Sequence, residues 1–136
     1  MGIQLDIITP DRIVASEEVD KVVCPGIDGE FGVLPGHVGL MTKLRIGEVN
    51  YYGIDTKREH YLVVTTGYVE VTKDKVTILP DWCIRSRDID KVQTEIDLNK
   101  AEDIINNAEK ETEEYIKAKD DYLLAKAILK LWDKIG

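Results

Sequence analysis

The sequence predicts an α+β chain: a mainly β head, built as an antiparallel sandwich of about ten short strands, followed by a C-terminal two-helix hairpin. Three observations carry that prediction. Up to residue 84, turn signals recur every 8 to 12 residues, the spacing of a sandwich or barrel. β-branched residues are dense throughout the same stretch and favour strands. After Asp81 there is no further proline, and no glycine before Gly136, while apolar residues recur at helical spacing. The expected division is therefore a sandwich over 1–84 and a helical hairpin over 85–136.

The strands follow in order. Gln4 to Thr9 alternates apolar and polar residues and is stopped by Pro10-Asp11. Ile13 to Ala15 and Val19 to Cys24 come next, as two separate strands. Gly26-Ile27-Asp28-Gly29-Glu30-Phe31-Gly32-Val33-Leu34-Pro35-Gly36-His37 is the most informative segment, with four glycines and a proline packed around one apolar cluster. Gly26 and Gly29 bracket Asp28, a tight turn calling for φ > 0. Phe31, Val33 and Leu34 form a short strand that Pro35-Gly36 ends. Such a shaped loop on a β scaffold is a place for contacts. Leu40 to Leu44, Val49 to Tyr52 and Tyr61 to Thr65 follow. Tyr68 to Val71 and Val76 to Leu79 flank Lys73-Asp74, a hairpin turn.

In the helical region Ile89, Val92, Ile96, Ala101, Ile104, Ile105 and Ala108 recur at helical spacing. Ser86 or Asp88 caps the start, and Asp88 and Asp90 suit the positive end of the helix dipole. Tyr115, Ala118, Tyr122, Ala125, Leu129 and Trp132 form a heptad-like seam. Between these runs Asn106-Asn107 is the weakest helical point, and Glu109 to Glu114 is polar all round. A turn is expected there. One continuous helix over 88–135 would reach about 70 Å. A weakly specified turn is what a two-state element requires.

Charge narrows the function. The formal net charge is −8, and no basic stripe of the kind nucleic acid demands is visible. The same balance opposes adsorption to anionic lipid, and no apolar run approaches the length of a membrane span. Neither a signal peptide nor direct membrane insertion is expected. From Asp88 to Glu114 the charge is roughly −7, and from Tyr115 onward roughly +2. Lys126, Lys130 and Lys134 recur every fourth residue on one helical face. They serve either as a solvated face that attracts the acidic first helix or as a cationic stripe for an acidic partner.

Catalytic patterns are missing. His37 and His60 lie in separate contexts with no second ligand at zinc spacing, so no metal site is expected. There is no nucleophile elbow and no phosphate-binding glycine loop that opens a helix. Cys24 and Cys83 sit in β-like apolar settings and read as reduced core thiols, the alternative being a disulfide between them, which needs a geometry that spacing does not give. A non-catalytic binding or mechanical protein is the expected class, with no catalytic residue and no resident cofactor.

Several landmarks together resemble the epsilon subunit of bacterial F-type ATP synthases. They are Leu5-Asp6-Ile7-Ile8-Thr9-Pro10, the loop from Gly29 to His37, Thr66 to Val71 with Val76 to Leu79, and Asp88-Ile89-Asp90. The resemblance implies a rotor subunit of the central stalk, peripheral to the cytoplasmic face of the membrane, that couples ion flow to ATP synthesis. It implies contact of Asp28, Gly29 and Glu30 with the ring of c subunits, and of His37 with the gamma subunit. It implies that the helices regulate hydrolysis, with Lys126, Lys130 and Lys134 facing an acidic segment of a catalytic beta subunit. Some members bind ATP in the hairpin through an Ile/Leu-Asp-x-x-Arg-Ala motif. Here Ile89 and Asp90 match, whereas Gln93 and Thr94 replace Arg and Ala. Lys100, Lys126 and Lys130 stand where arginines assist, without a guanidinium fork. A nucleotide-sensing module is the alternative reading.

Overall fold

The computed structural model describes residues 2–36 and 39–135. It divides into two compact units, Met1–Arg85 and Ser86–Gly136.

The described residues of the first unit form nine strands: β1 (Ile3–Ile8), β2 (Ile13–Gly26), β3 (Gly29–Val33), β4 (Leu40–Leu44), β5 (Gly47–Gly53), β6 (Arg58–Val64), β7 (Gly67–Val71), β8 (Lys75–Pro80) and β9 (Cys83–Arg85). They form a β-sandwich whose hydrogen-bonded order is β1-β8-β7-β4-β2-β5-β6-β9, with β3 on β2 and β1 closing back on β2. All pairings are antiparallel except β1 with β8.

The 14-residue β2 is the organising element and corrects the expected pair of short strands. Ser16-Glu17-Glu18 looks like a break but stays in register, with Glu17 opposite Leu5 and Glu18 opposite Gln4. The early half of β2 pairs with β1, and the later half with β3 and β5. The strand runs on through these polar residues because their backbone stays paired with β1 until β5 and β3 take over.

Alternation builds the core. Ile3, Leu5 and Ile7 of β1 point inward, as do Val69 and Val71 of β7 and Val76 and Ile78 of β8. Val49 and Tyr51 of β5, Leu62 and Val64 of β6, and Val19, Val22 and Cys24 of β2 complete the cluster. Both cysteines are free and buried. Burial alone pushes the Cys24 thiol up to about 12, so it behaves as a small apolar side chain.

The second unit is a helical hairpin of α1 (Lys91–Asn107) and α2 (Glu113–Ile135), preceded by a single 3-10 turn at Ser86–Asp88. The cap of α1 is Asp90, not Ser86 or Asp88: its Oδ1 accepts from Gln93 N at 3.0 Å. Ser86 and Asp88 are instead used in the tighter turn ahead of it. The buried stripe also differs from the expected one. Val92 (68% exposed), Ile96 and Ile104 face outward, while Thr94 and Ala101 are buried and Leu98, Ile105 and Ala108 are half-buried. That inner set steps by 4, 3, 4 and 3, a narrower and less apolar seam than the isoleucines suggested. On α2 Ala118 and Ala125 are buried with Ile128 and Leu131. The break falls where the asparagines placed it, and Thr112 Oγ1 accepts from Tyr115 N at 3.2 Å to start α2. Glu111 before it has φ 71°.

Candidate docking surfaces of the sandwich and the hairpin

The β2–β3 turn is a two-residue connection, since Gly26 pairs with Gly29 across it. Ile27 and Asp28 form its tip, and Asp28 and Glu30 are exposed. Gly29 has φ +136°, as a turn glycine should. Gly26 does not need positive φ. A Cβ there would stand 2.8 Å from Gly29 O and 2.9 Å from the Phe31 ring, so close packing makes it glycine. The turn is braced from β4 and its neighbour. Ile27 N donates to Lys43 O at 2.9 Å, Arg45 N donates to Pro25 O at 2.9 Å, and Arg45 Nε donates to Gly26 O at 3.1 Å. Asp28, Gly29 and Glu30 are thus brought together as a stiff acidic tip. His37 lies outside the described residues.

A second surface was not anticipated. On the outer face of β4, β7 and β8, Lys43 is opposite Tyr68, Tyr68 opposite Leu79, and Met41 opposite Glu70. Met41 is 66% exposed, Tyr68 52% and Leu79 43%. In a strand with one solvated face these alternate positions are normally polar. Their apolar identity was the available signal, hidden because Leu40 to Leu44 and Tyr68 to Leu79 read simply as strand-forming. The face continues to Asp6 on β1, where Lys75 Nζ sits 2.8 Å from Asp6 Oδ2. Gln4 and Ser16 donate to the other oxygen at 2.9 and 2.8 Å. The Lys75 bond first, then the Gln4 bond, hold the Asp6 carboxyl below its ordinary value.

On the hairpin, Lys126, Lys130 and Lys134 are exposed along α2. Lys126 and Lys130 line a shallow groove of about 520 Å³ with Leu98, Ala127, Leu129 and Asp133. Lys126 Nζ also lies 5.8 Å from the centroid of the Tyr122 ring, a cation–π distance. Ile89, Asp90 and Lys100 do not line this groove. Ile89 is buried, and the Asp90 carboxylate is engaged in capping. Among the described residues no group of three or more His, Cys, Asp or Glu side chains is placed to hold a metal. Among the same residues no helix is long and apolar enough to cross a membrane.

These surfaces sit on a recognisable framework. Residues 2–86 match the model of the ATP synthase delta/epsilon chain β-sandwich domain. An ATP synthase epsilon chain of Nitratidesulfovibrio vulgaris (strain DP4) is 39% identical over 128 residues, covering 94% of this chain and 88% of the relative. The chain belongs to the ATP synthase epsilon family. Another member, ATP synthase epsilon chain 2 of Syntrophotalea carbinolica, is 40% identical over 121 residues, covering 88% of this chain and 80% of its own. The fold extends further than the sequence likeness. A chain in the cryo-EM structure of the Euglena gracilis mitochondrial ATP synthase OSCP/F1/c-ring superposes with a TM-score of 0.84 at 18% identity, over 96% of this chain and 81% of that one. Both the family's sandwich and the two helices after it are therefore present here.

Proposed function

We propose that this chain is a non-catalytic rotor subunit of an F-type ATP synthase, held in the central stalk at the cytoplasmic face of the bacterial membrane, where it helps couple ion flow to ATP synthesis. The observation that carries this reading is the relationship along 94% of the chain to a protein named ATP synthase epsilon chain. The geometry is suited to the role. Torque is transmitted by parts that do not deform, and a closed sandwich with a braced tip is such a part. The acidic tip of Asp28, Gly29 and Glu30 is assigned to the polar loops of the c ring. The apolar face of Met41, Tyr68 and Leu79 is assigned, together with His37, to the gamma subunit, because an exposed apolar patch on a soluble domain marks a partner.

The hairpin is assigned to regulation. Lys126, Lys130 and Lys134 are directed at an acidic segment of a catalytic beta subunit, and engagement of that segment opposes ATP hydrolysis. The alternative of ATP binding in the hairpin is supported only by the Lys126–Lys130 groove; Ile89, Asp90 and Lys100 lie apart from it.

Reconstitution tests the proposal. A synthase depleted of its own epsilon subunit is supplied with the full chain or with a version ending before Asp88. Both should restore coupled ATP synthesis, and only the full chain should depress hydrolysis. Failure of both to restore coupling contradicts the rotor role. Equal hydrolysis with both contradicts the regulatory role alone.

A further inference from the structure

The last strand of the sandwich is held differently from the others. β9 has three residues and, among the described residues, pairs only with β6, Cys83 opposite Val64 and Arg85 opposite Leu62. A strand so short, with one neighbour, opens locally at far lower cost than the core. Its upstream end is tied by backbone and hydroxyl together. Thr65 N donates to Trp82 O and Trp82 N donates to Thr65 Oγ1, each at 3.0 Å.

Its downstream end is tied by one side chain. Arg85 Nη2 donates to the Val14 carbonyl of β2 at 2.8 Å, joining residues 71 positions apart. The same guanidinium faces the buried Tyr51 hydroxyl, which in turn donates to Glu17 Oε2 at 3.0 Å. Burial raises the Tyr51 pKa and Arg85 partly offsets it, as expected of a cation against a phenol. Glu17 Oε1 is buried with no hydrogen-bond partner among the described residues, so this line of groups ends in an under-satisfied carboxylate. The charge-assisted bond to Val14 at one end and that carboxylate at the other favour Arg85 staying in place.

We propose that β9 is a separable strap, hinged at the Thr65–Trp82 pair and latched by Arg85, which leaves β6 while the rest of the sandwich stays folded. Arg85 is a positioning residue in this scheme. It is also the last residue of the first unit, so opening frees the three residues of β9 directly ahead of Ser86. The inference depends only on the sandwich and stands apart from the rotor reading.

Two thiols supply the test. Cys83 rides on the strap at 4% exposed, and Cys24 is fully buried in β2. The intact chain and its Arg85→Gln variant are treated with a maleimide under native conditions, and labelling of each cysteine is followed by peptide mass spectrometry. Cys83 should label roughly tenfold faster in the variant, the change expected from losing one charge-assisted bond, while Cys24 stays protected. Direct electrostatics works the other way. Arg85 lowers the Cys83 pKa against the larger effect of burial, so removing it would slow a thiol that remained covered. Should Arg85→Gln yield no folded protein, Thr65→Ala loosens the hinge instead and should expose Cys83 with the same selectivity. An unchanged Cys83 rate, or equal acceleration of both thiols, overturns the strap.

Discussion

Gly26 and Gly29 stand on one hairpin, yet different physics fixes each. At Gly29 a Cβ would meet nothing within 4 Å, and only its φ of +136° resists a side chain. At Gly26 the backbone is ordinary and the space is absent. Gly26→Ala should therefore cost about 1–3 kcal/mol through overpacking against the Gly29 carbonyl and the Phe31 ring. Gly29→Ala should cost about 1–2 kcal/mol through backbone strain alone. Denaturant midpoints of the two variants check this, and only the Gly26 loss should be partly relieved by also trimming Phe31 to Leu, since the Gly29 carbonyl stays in the way. The sequence marked both glycines as turn residues but assigned them one cause, because a near approach across a hairpin depends on which ring lies over it. Asp6 gives a second prediction at this scale. Its folded pKa lies below the ordinary value of 3.8, so the stabilisation is complete above that value. It is lost as pH falls through the folded pKa, where the unfolded chain binds the proton first. Unfolding measured across the acid range should show that loss, and Asp6→Asn should remove this part of the slope.

Among the elements, those read correctly from the chain were those whose periodicity and punctuation agreed. Lys73-Asp74 does join β7 to β8, and Asn107 does end α1. Errors came where one signal outweighed another. Polar Ser16-Glu17-Glu18 suggested a gap, but unbroken pairing with β1 carries β2 through it to the residues that pair with β5. Val92, Ile96 and Ile104 suggested an inner stripe and face outward; Ala101 is buried as expected, joined by Thr94, which was not. Side-chain hydrophobicity alone does not reveal which helical face can approach closely, and small residues do so best. The loop between the helices is stabilised by its own chemistry. Thr112→Ala removes the α2 cap and should cost about 1 kcal/mol. Glu111→Gly relieves a φ of 71°, against a larger unfolded-state entropy, and should gain up to about 1 kcal/mol. Hydrogen exchange in the first turn of α2 should quicken in the first variant and slow in the second. Equal exchange in both would mean that the turn is set by packing instead of capping.

For the molecule as a whole, the acidic tip was legible from glycine spacing, whereas the apolar face of Met41, Tyr68 and Leu79 became visible only once the register placed three strands side by side. That face and the tip are features of one rigid unit, which is why a docking role is assigned to the sandwich and a regulatory role to the hairpin. The central claim is tested most directly by titrating the purified chain against an isolated gamma subunit and measuring the affinity. The account predicts a one-to-one complex that survives removal of the residues from Asp88 onward and weakens at least about tenfold on Tyr68→Asp, as expected when a buried hot-spot aromatic is replaced by a charge. The absence of any complex, or a complex indifferent to Tyr68 and lost with the helices, would contradict it.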